Sequence, residues 1–209
     1  MNRRRIALAA GTILAALFLV PGFLAAQEEI IPVSRTRTIG GSQAWIGPRI
    51  SLLLAADETL REVYGDSGPA FGLTAGADLH RRGGFALAAV VDAGRFQSTG
   101  ASTLSATAST LTLLPVAAAL QARFGSGGLV FWLEAGGKIV FYTEDSALAQ
   151  SQGSALGVLA GGGAQLALGA GAALQAFVRW SQADETLDSF TVHLGGWEIG
   201  GSLVWRFGI

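Results

Sequence analysis

Residues 129–142 read LVFWLEAGGKIVFY. Leu129, Phe131, Leu133, Ala135, Gly137, Ile139 and Phe141 share one parity, and Trp132, Glu134, Gly136, Lys138 and Tyr142 share the other. A period of two is the period of a β-strand, whose successive side chains point to opposite faces. One face of this strand is apolar throughout. The other carries a full negative and a full positive charge near its middle.

The same split recurs on both sides of this stretch. Upstream, Leu114, Val116, Ala118, Leu120, Ala122 and Phe124 oppose Gln121 and Arg123. Phe85, Leu87, Ala89, Val91 and Ala93 oppose a register that holds Asp92. Phe71, Leu73, Ala75, Ala77 and Leu79 oppose Thr74, Asp78 and His80, and Ile46, Ile50, Leu52 and Leu54 oppose Arg49 and Ser51. Downstream, Leu174, Ala176, Val178 and Trp180 oppose Gln175 and Arg179, and Trp197, Ile199, Leu203, Trp205 and Phe207 oppose Glu198, Ser202 and Arg206. Eight strands are predicted, over 44–56, 70–80, 85–96, 110–124, 129–143, 155–168, 173–182 and 191–208. The sixth is the weakest, with Gln165 alone marking its polar face. Each is close to or above the ~9–11 residues that a tilted strand needs to cross a bilayer.

The connections alternate in length. Residues 81–84, 125–128 and 169–172 make short turns, whereas 57–69, 97–109, 144–154 and 183–190 are longer and hold most of the acidic residues. Short turns on one side and long loops on the other are the asymmetry of membrane barrels.

Alternation alone does not say which face is inside. The charges decide it. Arg49, Asp78, Asp92, Arg123, Glu134, Lys138, Arg179, Glu198 and Arg206 all fall on one register, in near balance of sign. On a lipid-facing register each Arg or Lys would cost about 2–4 kcal/mol near the midplane. The other register avoids them and carries aromatics near the strand ends (Trp45, Phe71, Phe85, Phe124, Phe141, Trp180, Trp197, Trp205, Phe207), as an interfacial girdle would. The expectation is an all-β fold, a closed antiparallel transmembrane β-barrel of about eight strands in an up-and-down meander, with the nine charges as a paired lumen network. A soluble barrel or sandwich would place the same charges in water. Too few charges remain elsewhere to solubilise such a chain.

Composition agrees. Half of the residues are hydrophobic and 14% are charged, against about 25% charged in an average soluble domain. The strongest rival is local: 157–178 is uncharged and glycine-rich, which suggests a packed membrane helix. Its six glycines, through Gly171, fit a hairpin better, since each costs a helix roughly 0.8–1 kcal/mol relative to Ala.

The N-terminus has its own pattern. Arg3, Arg4 and Arg5 precede the apolar run Ile6 to Val20, then Pro21, and small residues lead to Ala26. Basic, apolar and small residues in that order read as a secretory signal peptide, 1–26, cleaved after Ala26. Residues 27–43 are a polar N-terminal segment, and 44–209 form the barrel. Loss of the leader arginines takes the net charge from −1 to −4, so no basic surplus points to nucleic acid.

The stretch from Leu113 to Phe124, the glycine-rich turn with Leu129 to Tyr142, and the last strand resemble the small outer-membrane β-barrel family of eight-stranded porin-like and adhesin-like proteins. The resemblance covers about 44–209. It implies a bacterial outer-membrane location, contact with outer-membrane lipid, and insertion by the outer-membrane assembly machinery. Leu203, Trp205 and Phe207 resemble the C-terminal signal which that machinery reads. A monomer is expected.

Some barrels of this size modify lipids, chemistry that needs a nucleophile or activated water beside a His base. The two histidines, His80 and His193, are placed at opposite rims and cannot share a metal. His193 is near Ser189 and Thr191 in sequence, a weak nucleophile–base pattern. Glu28/Glu29, Glu144/Asp145 and Asp184/Glu185 read as solvated loop charges. The glycine clusters lack the Lys-Ser/Thr ending of a phosphate loop. With no cysteine, thiolate metal sites and disulfides are excluded. No catalytic residue, metal or cofactor is therefore assigned. An eight-stranded barrel is just wide enough for side chains to fill it. The expected role is structural or surface-interacting, with a plugged interior and a surface ligand the sequence does not name. The alternatives are a narrow small-solute channel and a lipid-modifying enzyme.

Overall fold

The computed structural model describes residues 43–101, 108–146, 150–187 and 190–208. The leader and nearly all of the N-terminal segment lie outside these residues. The elements are β1 (Gln43–Ala55), α1 (Glu58–Tyr64), β2 (Ser67–Arg82), β3 (Phe85–Ala101), β4 (Ala108–Phe124), β5 (Leu129–Ser146), β6 (Gln150–Gly169), β7 (Ala172–Leu187), β8 (Phe190–His193) and β9 (Gly196–Gly208).

Consecutive strands β1 to β7 pair antiparallel, β7 pairs with β9, and β9 pairs back onto β1. β1 to β7 and β9 thus form a closed ring, the arrangement that satisfies strand backbone groups away from water. Short β8 pairs with the outer end of β7 and leads into β9. The eighth stave is therefore made in two pieces, and the ring is the expected up-and-down barrel.

The faces are inverted relative to a soluble barrel. Leu133 is 64% exposed while its neighbour Glu134 is 5% exposed. Leu73, Val91, Leu120, Leu174 and Leu203 are likewise exposed on the outside. Above and below this belt stand Phe71, Phe141 and Trp197 at one end and Phe85, Phe124, Phe131, Trp205 and Phe207 at the other. A band of apolar side chains between aromatic girdles is the lipid-facing surface of a transmembrane barrel. Among the described residues, no helix is long and apolar enough to cross a membrane, and the crossing is made by strands.

The stretch 157–178 forms the β6–β7 hairpin, not a helix. Its turn has Ala170 at φ 48° and Gly171 at φ 80° between the paired Gly169 and Ala172. Two central residues at positive φ make the hairpin turn whose twist matches that of the flanking strands. The inward glycines of β6 also explain its weak pattern. A Cβ at Gly163 would stand 2.7 Å from the Trp132 ring, so the small residue makes room for the large one opposite.

Three expectations are corrected. First, the strands run well past the apolar belt. β3 reaches Ala101, β5 reaches Ser146 and β7 reaches Leu187, so most of the anticipated long loops is paired strand. Both faces are polar there, so the alternation stops while the hydrogen-bonded ladder continues. Second, Trp45 is not in the girdle. It is 2% exposed and points inward, sharing parity with Arg49 and Ser51. Parity decides the face, and the hydrophobicity of an indole does not. Third, His80 leaves the inward register. The β2–β3 ladder shifts between Asp78 and His80, which pairs His80 with outward Leu87 and Arg81 with inward Ala86.

Candidate functional site

The inward register fills the interior in three layers, and the first lies at mid-height. Glu198 of β9 pairs with Arg49 of β1 at 3.1 Å and accepts from the Ser51 hydroxyl. Arg49 also stands 3.7 Å from Asp92 of β3. Asp92 pairs with Arg179 of β7 at 2.9 Å, and Arg179 donates through Nε and Nη2 to Glu134 of β5, both at 2.6 Å. Five side chains from five strands thus alternate in sign across the lumen. The Phe177 ring lies 5.5 Å from each of the Arg49 and Arg179 guanidiniums, a cation–π arrangement on both sides. Lys138 adds a third cation and donates to Ser181 at 2.9 Å. Three acids face three bases. Removing an ion from water costs several kcal/mol, and only close opposite charges with further hydrogen bonds recover it. Balance is therefore a requirement of burial at this level.

The second layer lies toward the short turns. Asp78 accepts from Arg81 at 2.9 Å and 2.6 Å and stands 3.8 Å from Arg123. In a regular strand, residues three apart face opposite sides. The shifted register between Asp78 and His80 is what brings Arg81 and Asp78 together. Arg123 stacks 4.3 Å from the Trp45 ring and donates to Gln165 at 2.6 Å. Gln175 continues the chain to Gln165 at 3.0 Å, and Ser202 to Gln175 at 2.8 Å. Arg206 is half-buried beside Trp45, its cross-strand partner.

The third layer, toward the long connections, is apolar. Phe96, Leu111, Leu113, Val140, Tyr142 and Leu194 pack together, and Leu60 and Tyr64 of α1 rest on them. Asp57 caps α1 by accepting from the Leu60 amide at 3.1 Å. The Tyr64 hydroxyl donates to Glu144 at 2.5 Å and lies 2.9 Å from Ser109. Ser98 donates to the Tyr64 carbonyl at 2.8 Å. The helix sits close to β3: a Cβ at Gly100 would stand 1.8 Å from the Val63 carbonyl oxygen. Partial burial and then the Glu144 carboxylate push the Tyr64 phenol up to about 12. At the outer rim His193 Nδ1 lies 2.7 Å from Asp184, and the His193 amide donates to Asp57 at 3.2 Å. The hydrogen bond to Asp184 raises the imidazole above its ordinary value, and the same bond lowers the carboxylate.

Of the nine expected lumen residues, Arg49, Asp92, Glu134, Arg179 and Glu198 meet in one chain, with Lys138 beside it. Asp78 and Arg123 meet in the turn-end cluster, and Arg206 stands apart without a carboxylate partner among the described residues. Sequence reasoning did not place Arg81 or Trp45 in the lumen, nor α1 and the apolar layer. Parity was the available signal for Trp45. Leu203, Trp205 and Phe207 lie on the outward face as expected. His193 is bonded to Asp184, and Ser189 lies outside the described residues. Among the described residues no group of three His, Asp or Glu side chains gathers to hold a metal. Two cavities in the lumen measure about 10 Å³ each, room for about one water apiece.

No protein-family model matches the chain, and no curated protein matches it in sequence. Solved structures share its fold. The outer membrane protein OprG of Pseudomonas aeruginosa aligns with a TM-score of 0.55 at 12% identity, over 81% of this chain and 97% of that one. Neisserial surface protein A aligns with a TM-score of 0.52 at 13% identity, over 80% of this chain and 97% of that one. At such identities the likeness is one of fold.

Proposed function

Given a chain with the fold of the small bacterial outer-membrane β-barrels, we propose that it is a plugged outer-membrane barrel with a structural or surface-interaction role. One observation carries this reading. The Glu198–Arg49–Asp92–Arg179–Glu134 chain crosses the lumen, and the two cavities beside it measure about 10 Å³ each. The apolar layer under α1 seals the outer end a second time. Activity then belongs outside the lumen. The long-connection end exposes Glu58, Glu62, Asp66, Asp145 and Asp184 against Arg61 and Arg95, which suits a partner with a basic face.

On this reading residues 1–26 direct export, and Leu203, Trp205 and Phe207 serve the assembly machinery. The test is conductance of the refolded barrel in a planar bilayer. No discrete conductance steps are expected. Sustained steps at neutral pH would sink the plugged reading and favour a narrow channel. Unboiled samples from outer-membrane fractions should migrate differently on gels from boiled ones, and recovery in the soluble fraction would overturn the membrane assignment.

A further inference from the structure

The mid-lumen and the turn-end of the barrel differ in charge balance. Three acids meet three bases in the middle. Toward the short turns, Arg81, Arg123 and Arg206 face inward around Asp78, the one acid at that end among the described residues. Register holds them close. Arg81 and Arg123 both pair with Ala86, one from each side, and Arg206 pairs with Trp45, on which Arg123 stacks at 4.3 Å. Cross-strand partners sit roughly 4.5–5.5 Å apart, so the three arginines share one end of the lumen, around Ala86 and Trp45.

Donors are also left over. Among the described residues, Nε and Nη1 of Arg123, which is 3% exposed, and Nε of Arg206 have no hydrogen-bond partner, against one such acceptor, Asp78 Oδ1. Buried polar atoms are nearly always satisfied, and those that are not call for an unseen partner. The Leu79 bulge makes the imbalance sharper, because it turns Arg81 inward where a regular strand would turn it out. A surplus of two positive charges among the described residues, with free guanidinium donors, defines the missing group: a phosphate-type oxyanion.

We propose that the turn-end mouth, formed by Arg81, Arg123 and Arg206 around Asp78, is a binding site for a phosphate-type oxyanion. Guanidinium matches phosphate oxygens in planar paired geometry, which chloride cannot use. Arg81, the exposed member of the three, meets the ligand first, Arg206 is partly buried, and Arg123 forms the floor. The anion can come from free phosphate or from the phosphate of a lipid headgroup at the rim.

The test is inorganic phosphate titrated into the full refolded barrel in a sugar detergent that carries no phosphate, followed by calorimetry and ³¹P line broadening at constant ionic strength. Saturable binding is expected, with chloride giving none. Arg206→Gln should weaken it about tenfold, the loss of one charge-assisted contact. Arg81→Gln should weaken it too. Heat-modifiable migration checks that each variant is folded, and if Arg206→Gln does not fold, Arg81→Gln carries the test. A phospholipid nanodisc separates the sources: phosphate binding retained there means a free-phosphate site, and binding lost there but present in detergent means a headgroup occupies it. Equal response to phosphate and chloride, or binding unchanged in both variants, overturns the proposal.

Discussion

The mid-lumen and the loop-end of this barrel are filled by opposite chemistries in one tube. The middle holds alternating charges on Glu198, Arg49, Asp92, Arg179 and Glu134. The loop-end holds Phe96, Leu113, Val140 and Tyr142 under a helix. Since the loop-end packs with apolar side chains, the barrel wall does not demand charge in order to be filled. The charged layer is thus not explained by volume. Paired charges of fixed geometry specify one arrangement of strands, whereas an apolar layer tolerates repacking. Specificity at mid-height is a hypothesis, and the two layers should respond differently to mutation.

The largest effect should come from Arg179→Leu. It leaves buried Glu134 without its cation and Asp92 with Arg49 alone at 3.7 Å, and breaking such a buried pair costs about 3–5 kcal/mol. Urea unfolding of the refolded barrel in lipid measures it. A second substitution, Glu134→Gln, should recover part of the loss. If Arg179→Leu alone is neutral, the layer is not a coupled network. Leu113→Ala comes next, with about 2–4 kcal/mol lost through transfer and cavity terms. No single change at a second site should recover that loss. Rescue there would erase the contrast between the layers.

How much of this was legible follows from the same contrast. Charges at Arg49, Glu134 or Arg179 announce the inward face, since a lipid face excludes them. Apolar residues announce nothing: Leu113 and Leu114 look alike in sequence, yet one is 6% and the other 44% exposed. Only parity, counted from a charged neighbour, separates them. Trp45 was misplaced because its type outweighed its parity. α1 was hidden because seven residues between two strands carry too few turns to show a period. Its position depends on Tyr64 reaching Glu144, a contact 80 residues away in sequence. The Leu79 bulge, and with it the turn-end cluster, is set by cross-strand register, which a single strand's pattern does not contain.

Smaller effects probe the helix and the turn. Tyr64→Phe removes a hydrogen bond to a carboxylate and should loosen α1 by about 1–2 kcal/mol, read as faster amide exchange over 58–64. The phenol titrates near 10 when unfolded and about 12 in place. Its stabilising contribution is therefore complete below pH 10 and lost as pH rises through about 12. Tyr64 and Tyr142 are the chain's two tyrosines, so in a Tyr142→Phe variant the ultraviolet phenolate signal reports Tyr64 alone. A midpoint near 10 would place Tyr64 outside the plug. Ala170→Gly should stabilise by about 1 kcal/mol, because a residue with a Cβ at φ 48° is strained there.

The smallest effect lies at the rim, where the apolar plug meets water. His193 and Asp184 are both exposed, so their bond adds little to global stability. It can still tie β8 to Asp57, which caps α1, through the His193 amide. Asp184 raises the His193 imidazole above its ordinary 6.5, and this contribution is complete below 6.5 and lost as pH rises through the raised value. His193 lowers Asp184 below its ordinary 3.8, and that contribution is present above 3.8 and lost as pH falls through the lowered value. The tie is therefore strongest between those two limits and fails first on the alkaline side. NMR titration of the two-histidine chain should show His193 above 6.5, returning toward it in Asp184→Asn. Exchange of the His193 amide should quicken at the same pH. A His193 midpoint at 6.5 in the unaltered chain would detach the rim from the plug and leave α1 held by Tyr64 and Leu60 alone.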